Sequence, residues 1–364
     1  MKLSSLSIHS VRNVAQAQLP LLGDVNVVYG QNGAGKTTLL ECIHMLALGR
    51  SFRSTALRPV IQRDQDHCVV SARLQQLDRA EMAIGIRRER SGGFTIRIDG
   101  ETVRSAIELA KILPVQLINA ASYLLIEGGP KQRRQFIDWG VFHVEHRFYD
   151  EWRRMQRALK QRNAILRAGG SPQQLVPWDR ELIESGEFVH EARQRYLSHF
   201  QPVFQQMLAE LCDLQGISLA YRSGWDKTLS LAEALGASQA RDRSRGLTHV
   251  GPQRADLKIA AYAEDAAQVL SRGQQKLVVS ALRLAQTRCL VEQTGSKCLL
   301  LVDDLPAEMD AGHQRKLCGL LAGLEMQLFI TCIDPAEIKR FEWPAGRDTQ
   351  WFHVKQGEID AAEG

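Results

Sequence analysis

Gly30-Gln31-Asn32-Gly33-Ala34-Gly35-Lys36-Thr37 follows the pattern G-x-x-x-x-G-K-[ST] without deviation. Glycines at these spacings let a backbone turn tightly and aim its N–H groups at phosphate oxygens. Lys36 can reach the β- and γ-phosphates of a nucleotide, and the Thr37 hydroxyl can ligate Mg²⁺. With Thr38 at the start of the following helix, this segment is the candidate nucleotide-binding loop. Such a loop needs a second metal anchor at the end of a neighbouring strand. Leu299-Leu300-Leu301-Val302-Asp303-Asp304 supplies one: the apolar run buries a strand, and Asp303 emerges at its end. Thr37 and Asp303 are the candidate Mg²⁺ residues, Asp303 acting through water. Lys36 is a candidate catalytic residue, as is Asp304, placed to orient or deprotonate an attacking water. His143 and His146, three apart, have no Cys or carboxylate cluster beside them and read as structural or surface residues.

The elements around these residues support that chemistry. Val25 to Tyr29 is a β-prone run, and Thr37 to Leu48 has the spacing of an amphipathic helix, so the loop lies between strand and helix. Phe94 to Ile98 alternates apolar and polar residues before the hairpin turn Asp99-Gly100. Between Glu145 and Arg167, Phe148, Trp152, Met155, Leu159 and Leu166 form a heptad-like stripe, ended by Gly169-Gly170-Ser171-Pro172. A second helical stripe runs from Val189 to Met207, where Pro202 is expected to kink or break it. Asp256 to Ala261 reads as a strand and Lys276 to Val291 as a helix. The fold class is therefore α/β: a mixed-sheet P-loop head split by a mainly helical lobe, a short antiparallel hairpin. The predicted limits are 1–115 for the first part of the head, 116–246 for the helical lobe and 247–364 for the rest of the head.

Composition narrows the function classes. The 364 residues are 44% hydrophobic and 24% charged, as in a globular protein and not a disordered one. No apolar run is long enough to span a membrane, and the N-terminus lacks a signal-peptide core, so a cytoplasmic chain is expected. The seven cysteines are scattered, with no Cys-x-x-Cys, and read as buried thiols. The net charge of +5 permits a nucleic-acid partner without demanding one. Basic residues concentrate at Lys131, Arg133 and Arg134 and again along 145–167, where Arg153, Arg154 and Arg157 are candidate DNA contacts. No aromatic-basic alternation accompanies them, so any contact is expected to be to backbone phosphates.

Leu270-Ser271-Arg272-Gly273-Gln274, just before a predicted helix, resembles the L-S-x-G-Q signature of ABC-type ATPases. A Ser followed by Gly also reads as a plain helix cap. The order of loop, signature and Asp pair favours the resemblance, and Ala307-Glu308-Met309-Asp310 looks like the D-loop of that superfamily. It implies that Ser271, Gly273 and Gln274 contact the nucleotide of a second head, in an ATP-dependent head-to-tail homodimer.

A closer resemblance is to the RecF family. It rests on Arg12-Asn13, Gly49-Arg50-Ser51-Phe52-Arg53, Gly128-Gly129-Pro130-Lys131-Gln132-Arg133-Arg134-Gln135-Phe136-Ile137-Asp138 and Gly251-Pro252-Gln253-Arg254-Ala255-Asp256. Departures are Val11 for Phe, Gln253 for His, and Ala120-Ala121 where the family usually has Pro-Glu. The resemblance implies ATP and Mg²⁺ as cofactors and gapped DNA as partner. It also implies RecR and RecO as co-workers and a role in loading the recombinase RecA. The alternatives are a transporter ATPase subunit, against which the missing switch His after Phe329-Ile330-Thr331 argues, and a nucleotide-gated structural clamp that hydrolyses nothing. Asp304, one methylene shorter than the Glu of fast ABC ATPases, implies weak hydrolysis.

Overall fold

The computed structural model describes residues 2–54, 56, 58–75, 80–304, 310–339 and 346–362. The N-terminal part contributes β1 (Lys2–Val11), β2 (Val14–Leu19), β3 (Val25–Tyr29), α1 (Lys36–Leu48), β4 (His67–Gln75), β5 (Met82–Glu89), β6 (Phe94–Ile98), β7 (Glu101–Val103), α2 (Ala106–Ile112) and β8 (Val115–Ile118). The middle contributes α3 (Pro130–Val144), α4 (Phe148–Arg167), α5 (Pro172–Leu211), β9 (Ile217–Arg222), α6 (Leu231–Arg245), β10 (Asp256–Ala261), β11 (Glu264–Asp265), α7 (Ala266–Val269) and α8 (Arg272–Thr294). The C-terminal part adds β12 (Leu299–Val302), α9 (Ala311–Gly323), β13 (Gln327–Cys332), α10 (Ala336–Lys339), β14 (Thr349–Lys355) and β15 (Glu358–Ala362).

These elements form two compact units, one of residues 1–122 with 295–364, the other of residues 123–294. The expected limits at 115/116 and 246/247 therefore move. Residues 116–118 stay with the head because β8 pairs in parallel with β12, Ile118 opposite Val302. Residues 247–294 go with the helical unit because β10 pairs with β9 and α8 packs on α5 and α3. The signature segment thus belongs to the helical unit.

The head has two sheets. One is antiparallel, in the order β2-β1-β4-β5-β6-β7; the other is mixed, in the order β15-β14-β3-β13-β12-β8. The β6–β7 hairpin turns at Asp99 and Gly100, both with positive φ (48° and 84°), as a tight two-residue turn requires. Helix α1 was expected to be amphipathic, yet it is buried nearly all round, from Thr38 to Ala47 without a break. It shares one core with both sheets: Leu39, Leu40, Ile43 and Leu46 cluster with Leu6, Ile8, Val70 and Ile84 from the first sheet and with Val28, Leu301 and Phe329 from the second. A helix apolar on every side is one enclosed on every side. Burial of this kind fixes its N-terminus, and with it the loop that precedes it.

In the helical unit, α4 and α5 pack as the expected hairpin. Phe148, Met155 and Leu166 are buried as the stripe predicts, while Trp152 and Leu159 are only half-buried. Helix α5 differs from expectation: it runs unbroken through Pro177 and Pro202. Both prolines and the carbonyl partners they forgo, on Gln173 and Ser198, lie on exposed positions, open to solvent. No described helix is long and apolar enough to cross a membrane.

Candidate functional site

The glycine-rich loop joins β3 to α1. Gly30 has φ 151°, and a Cβ there would sit 2.2 Å from the Val354 carbonyl oxygen on β14, so only glycine fits. The loop is held from two sides at one atom. The Ala34 carbonyl accepts from Asn13 Nδ2 at 2.9 Å and from the Gly357 N–H at 2.8 Å. Thr38 Oγ1 donates to Asn13 Oδ1 at 3.2 Å. Asn13, read from the sequence only as a family marker, is thus the clamp that shapes the loop. Lys36 is 5% exposed and curls back over the loop, Nζ donating to the carbonyls of Gly30 (2.8 Å) and Gln31 (3.3 Å). Among the described residues, the first N–H groups of α1, at Lys36 and Thr37, have no acceptor a turn below them, and Gly35 offers no side-chain cap. A phosphate fits such donors, with the helix dipole behind it.

The sheet brings the second half of the site to this loop. β13 lies between β3 and β12, with Ile330 opposite Val302 and Thr331 opposite Val28. Asp303, one residue past β12, is therefore level with Thr331. Asp303 Oδ1 accepts from Thr37 Oγ1 and from Thr331 Oγ1, each at 3.0 Å. The Asp304 N–H donates to Thr331 Oγ1 at 2.6 Å, while Asp304 itself is exposed with φ 49°. Burial pushes the Asp303 carboxyl above the usual carboxylate range and Asp304 pushes the same way; the two threonine hydroxyls and Arg53 oppose them. A hydroxyl and a carboxylate meeting beside a phosphate loop form a donor set that suits Mg²⁺, a hard cation taking oxygen ligands.

A buried carboxylate, Glu41 on α1, organises the rim. Arg12 grips it through Nε and Nη2, Ser51 Oγ donates to it, and Arg53 Nη1 lies 3.7 Å away. Neither Glu41 nor Thr331 stands out in the sequence, because each lies inside an apolar run. Of the D-loop segment, Ala307-Glu308-Met309 lies outside the described residues; Asp310 caps α9, accepting from Gly312 and His313 N–H groups at 2.9 and 3.0 Å.

In the helical unit, Ser271 and Gln274 form a reciprocal cap on α8. Gln274 N–H donates to Ser271 Oγ at 3.3 Å, and Ser271 N–H to Gln274 Oε1 at 2.9 Å. Ser271 is exposed and Arg272 pairs with Glu127. The two glycine-proline motifs interlock. Arg133 makes a two-pronged bond to Asp256 (2.7 and 3.0 Å), Arg134 donates to the Ala255 carbonyl, and buried Arg193 joins Asp138 to the Pro252 carbonyl. Arg133 and Arg134 are therefore engaged within the unit. Arg154 is likewise engaged, bound to Glu181 at 2.8 and 3.0 Å and to Glu151 at 2.9 Å. Lys131, Arg153 and Arg157 stay exposed. His143 packs its ring on Trp139 and Phe142, and burial lowers its pKa to about 4.

The RecF/RecN/SMC N-terminal domain family matches residues 2–350. The "DNA replication and repair protein RecF" of Pseudomonas fluorescens (strain Pf0-1) is 49% identical over 361 residues, 99% of this chain and 98% of that protein. That of Pseudomonas putida (strain W619) is 49% identical over 360 residues. A solved structure described as the recombination mediator protein RecF-ATP in the RecFOR pathway superposes with a TM-score of 0.87 at 25% identity, covering 99% of this chain and 97% of that one. The Smc head domain of Pyrococcus furiosus shares the fold, with a TM-score of 0.59 at 13% identity. The fold is thus that of an ABC-type ATPase head, and the chain belongs to the RecF family.

Proposed function

We propose that this chain is an ATP-dependent DNA-binding repair protein. It binds ATP with Mg²⁺, dimerises on the nucleotide and acts at single-/double-strand junctions of gapped DNA. There it helps to load RecA, in recombinational repair and the SOS response, with slow hydrolysis resetting it. RecR and RecO are its expected co-workers and the cytoplasm its compartment. The observation that carries the ATP site is the Thr37–Asp303 hydrogen bond, which joins two residues 266 positions apart beside the clamped loop. The match to relatives named for DNA replication and repair over 99% of the chain supports the repair role. Mg²⁺ would supply positive charge that offsets the phosphates; Thr37 and Asp303 would hold it, and Lys36 would hold the phosphates.

Membership of the RecF family leaves the transporter alternative without support. The non-hydrolysing clamp has one observation in its favour: Asp304 is short, exposed and, among the described residues, held through its backbone N–H to Thr331. ATP turnover with and without gapped DNA separates the two, and Lys36→Arg tests the site itself. Arg's planar fork does not replace a compact ammonium, so Lys36→Arg is expected to keep part of the binding and lose turnover. Wild-type turnover in that variant would remove Lys36 from the mechanism.

A further inference from the structure

The basic residues of α4 fall into two populations. One is consumed inside the helical unit: Arg154 pairs with Glu151 and Glu181, and Arg162 with Asp179 and Asp242. The other, Arg153, Arg157, Lys160 and Arg167, is exposed and, among the described residues, has no ion pair. At about 100° per residue these four fall within an arc of about 80°. Phe148, Met155, Arg162 and Leu166, all buried, lie on the opposite side of the helix. The remaining fully exposed residue in that arc is Ala164, too small to anchor a protein partner.

The track continues onto α6. Its last turns carry Arg241 and Arg245, about 40° apart on one side of the helix, both exposed and, among the described residues, without ion pairs; Arg243, about 160° from either, lies outside the track. The end of α6 is held beside the end of α4. Arg162 Nη1 donates to Asp242 Oδ2 at 2.7 Å, the Thr248 N–H donates to Asn163 Oδ1 at 2.8 Å, and a Cβ on Gly246 would lie 3.0 Å from Arg167 Cγ. On α6, Asp242 is fully buried in the Arg162 pair and Glu233 is held by Ser230; beside α4, Glu181 is bonded to Arg154 and also feels the charge of Arg157.

We infer that this track binds the phosphate backbone of double-stranded DNA without regard to sequence. The inference rests on the DNA-binding reading above and assigns its surface. From Arg153 to Arg167 the helix rises about 21 Å, the length of about six base pairs. Guanidinium and ammonium groups spaced along that length suit a line of phosphates and offer no fixed acceptor pattern for base edges. Arg154 and Arg133, both ion-paired, and Arg134, bonded to the Ala255 carbonyl, lie outside it.

The test replaces Arg157, Lys160, Arg167, Arg241 and Arg245 with Ala together. Binding to a labelled blunt duplex, in two unrelated sequences, is followed by anisotropy between about 50 and 200 mM salt. The wild type is expected to bind both with a steep salt dependence. The variant is expected to bind both more weakly and equally, with a log–log slope shallower by up to about 0.9 for each phosphate no longer neutralised. Its helical content and its binding of a fluorescent ATP analogue should match the wild type, since every replaced side chain is exposed. Arg154→Ala should leave the slope unchanged. A wild-type slope in the folded variant would overturn the track while leaving DNA binding intact. Weakening confined to one sequence would overturn it as well, because phosphates carry no sequence. Absence of DNA binding by the wild type would sink the DNA-binding reading, and the track with it.

Discussion

Thr331 joins the two halves of the nucleotide site through one oxygen. It is fully buried, donates to Asp303 and accepts from the Asp304 N–H. Thr331→Val keeps the shape but removes both bonds and leaves the Asp304 N–H without its acceptor, a loss of about 1–3 kcal/mol. We expect weaker Mg²⁺-dependent turnover in Thr331→Val and near-normal turnover in Thr331→Ser. Steady-state ATP turnover against Mg²⁺ concentration checks this, and an unchanged Mg²⁺ dependence in the Val variant would make Thr331 mere filling. Asp303 itself should show a conflict between stability and function. Its carboxyl is raised by burial, so in metal-free buffer its contribution is favourable at low pH and is lost as pH rises through its folded-state pKa. Both hydroxyl donors reach the same oxygen, Oδ1, so Asp303→Asn keeps them and removes the charge. The Asn variant should melt at or above the wild-type temperature at neutral pH without metal, and hydrolyse nothing. Melting curves across pH settle it: an Asn variant less stable than wild type at neutral pH would contradict the raised carboxyl. The glycine loop, Thr37 and Asp303 are legible in the sequence because glycines and a carboxylate interrupt apolar runs. Thr331 is not, since a β-branched residue between Ile330 and Cys332 looks like any strand residue and only strand register reveals its bond.

At the scale of elements, apolar periodicity reveals the hairpin but not what locks it. Arg162 reads as one more cation on a basic helix, because a buried arginine and an exposed one look alike in sequence. It is fully buried against Asp179 and Asp242, the latter also fully buried, and Asp242 accepts from the His249 N–H as well. Removing one partner of a buried pair leaves the other charge uncompensated. Arg162→Ala is expected to destabilise the helical unit by about 3–5 kcal/mol, read as a shift in urea midpoint; a shift typical of a surface residue would show that the pair is solvated. Pro202 is visible as a residue, and its effect departs from expectation for a physical reason. A proline breaks a helix where the freed carbonyl has no partner and the ring clashes, but here the position faces water. Phe200 and Phe204 on the buried side hold the helix across it. Pro202→Ala should stabilise by up to about 3 kcal/mol, again seen in the urea midpoint. The domain limits shift because strand pairing across long sequence gaps, β8 with β12, is invisible to local pattern.

At the scale of the whole molecule, one chain carries one glycine loop and one signature, and the signature sits in the helical unit while the loop sits in the head. The proposed homodimer requires Ser271 of one copy to approach the nucleotide of the other. The difficulty in testing this is that Ser271 also caps α8, so a disruptive change confounds a lost cap, worth about 1 kcal/mol, with a lost interface. Two variants separate the roles. Ser271→Asp keeps an N-cap acceptor for the Gln274 N–H and puts a negative charge where a phosphate of the partner's nucleotide would lie. Ser271→Ala removes the cap and adds no charge. If Ser271 meets a phosphate, Asp should abolish ATP-dependent dimerisation while melting like the wild type, and Ala should melt lower yet still dimerise at least in part. If Ser271 is a cap alone, the order reverses: Asp dimerises normally and only Ala is impaired. Both variants should bind ATP as monomers, because Lys36 and Thr37 are untouched. Light scattering after gel filtration with and without ATP, run beside melting curves, distinguishes the two cases, and normal dimerisation of Ser271→Asp would place the shared surface elsewhere on the molecule.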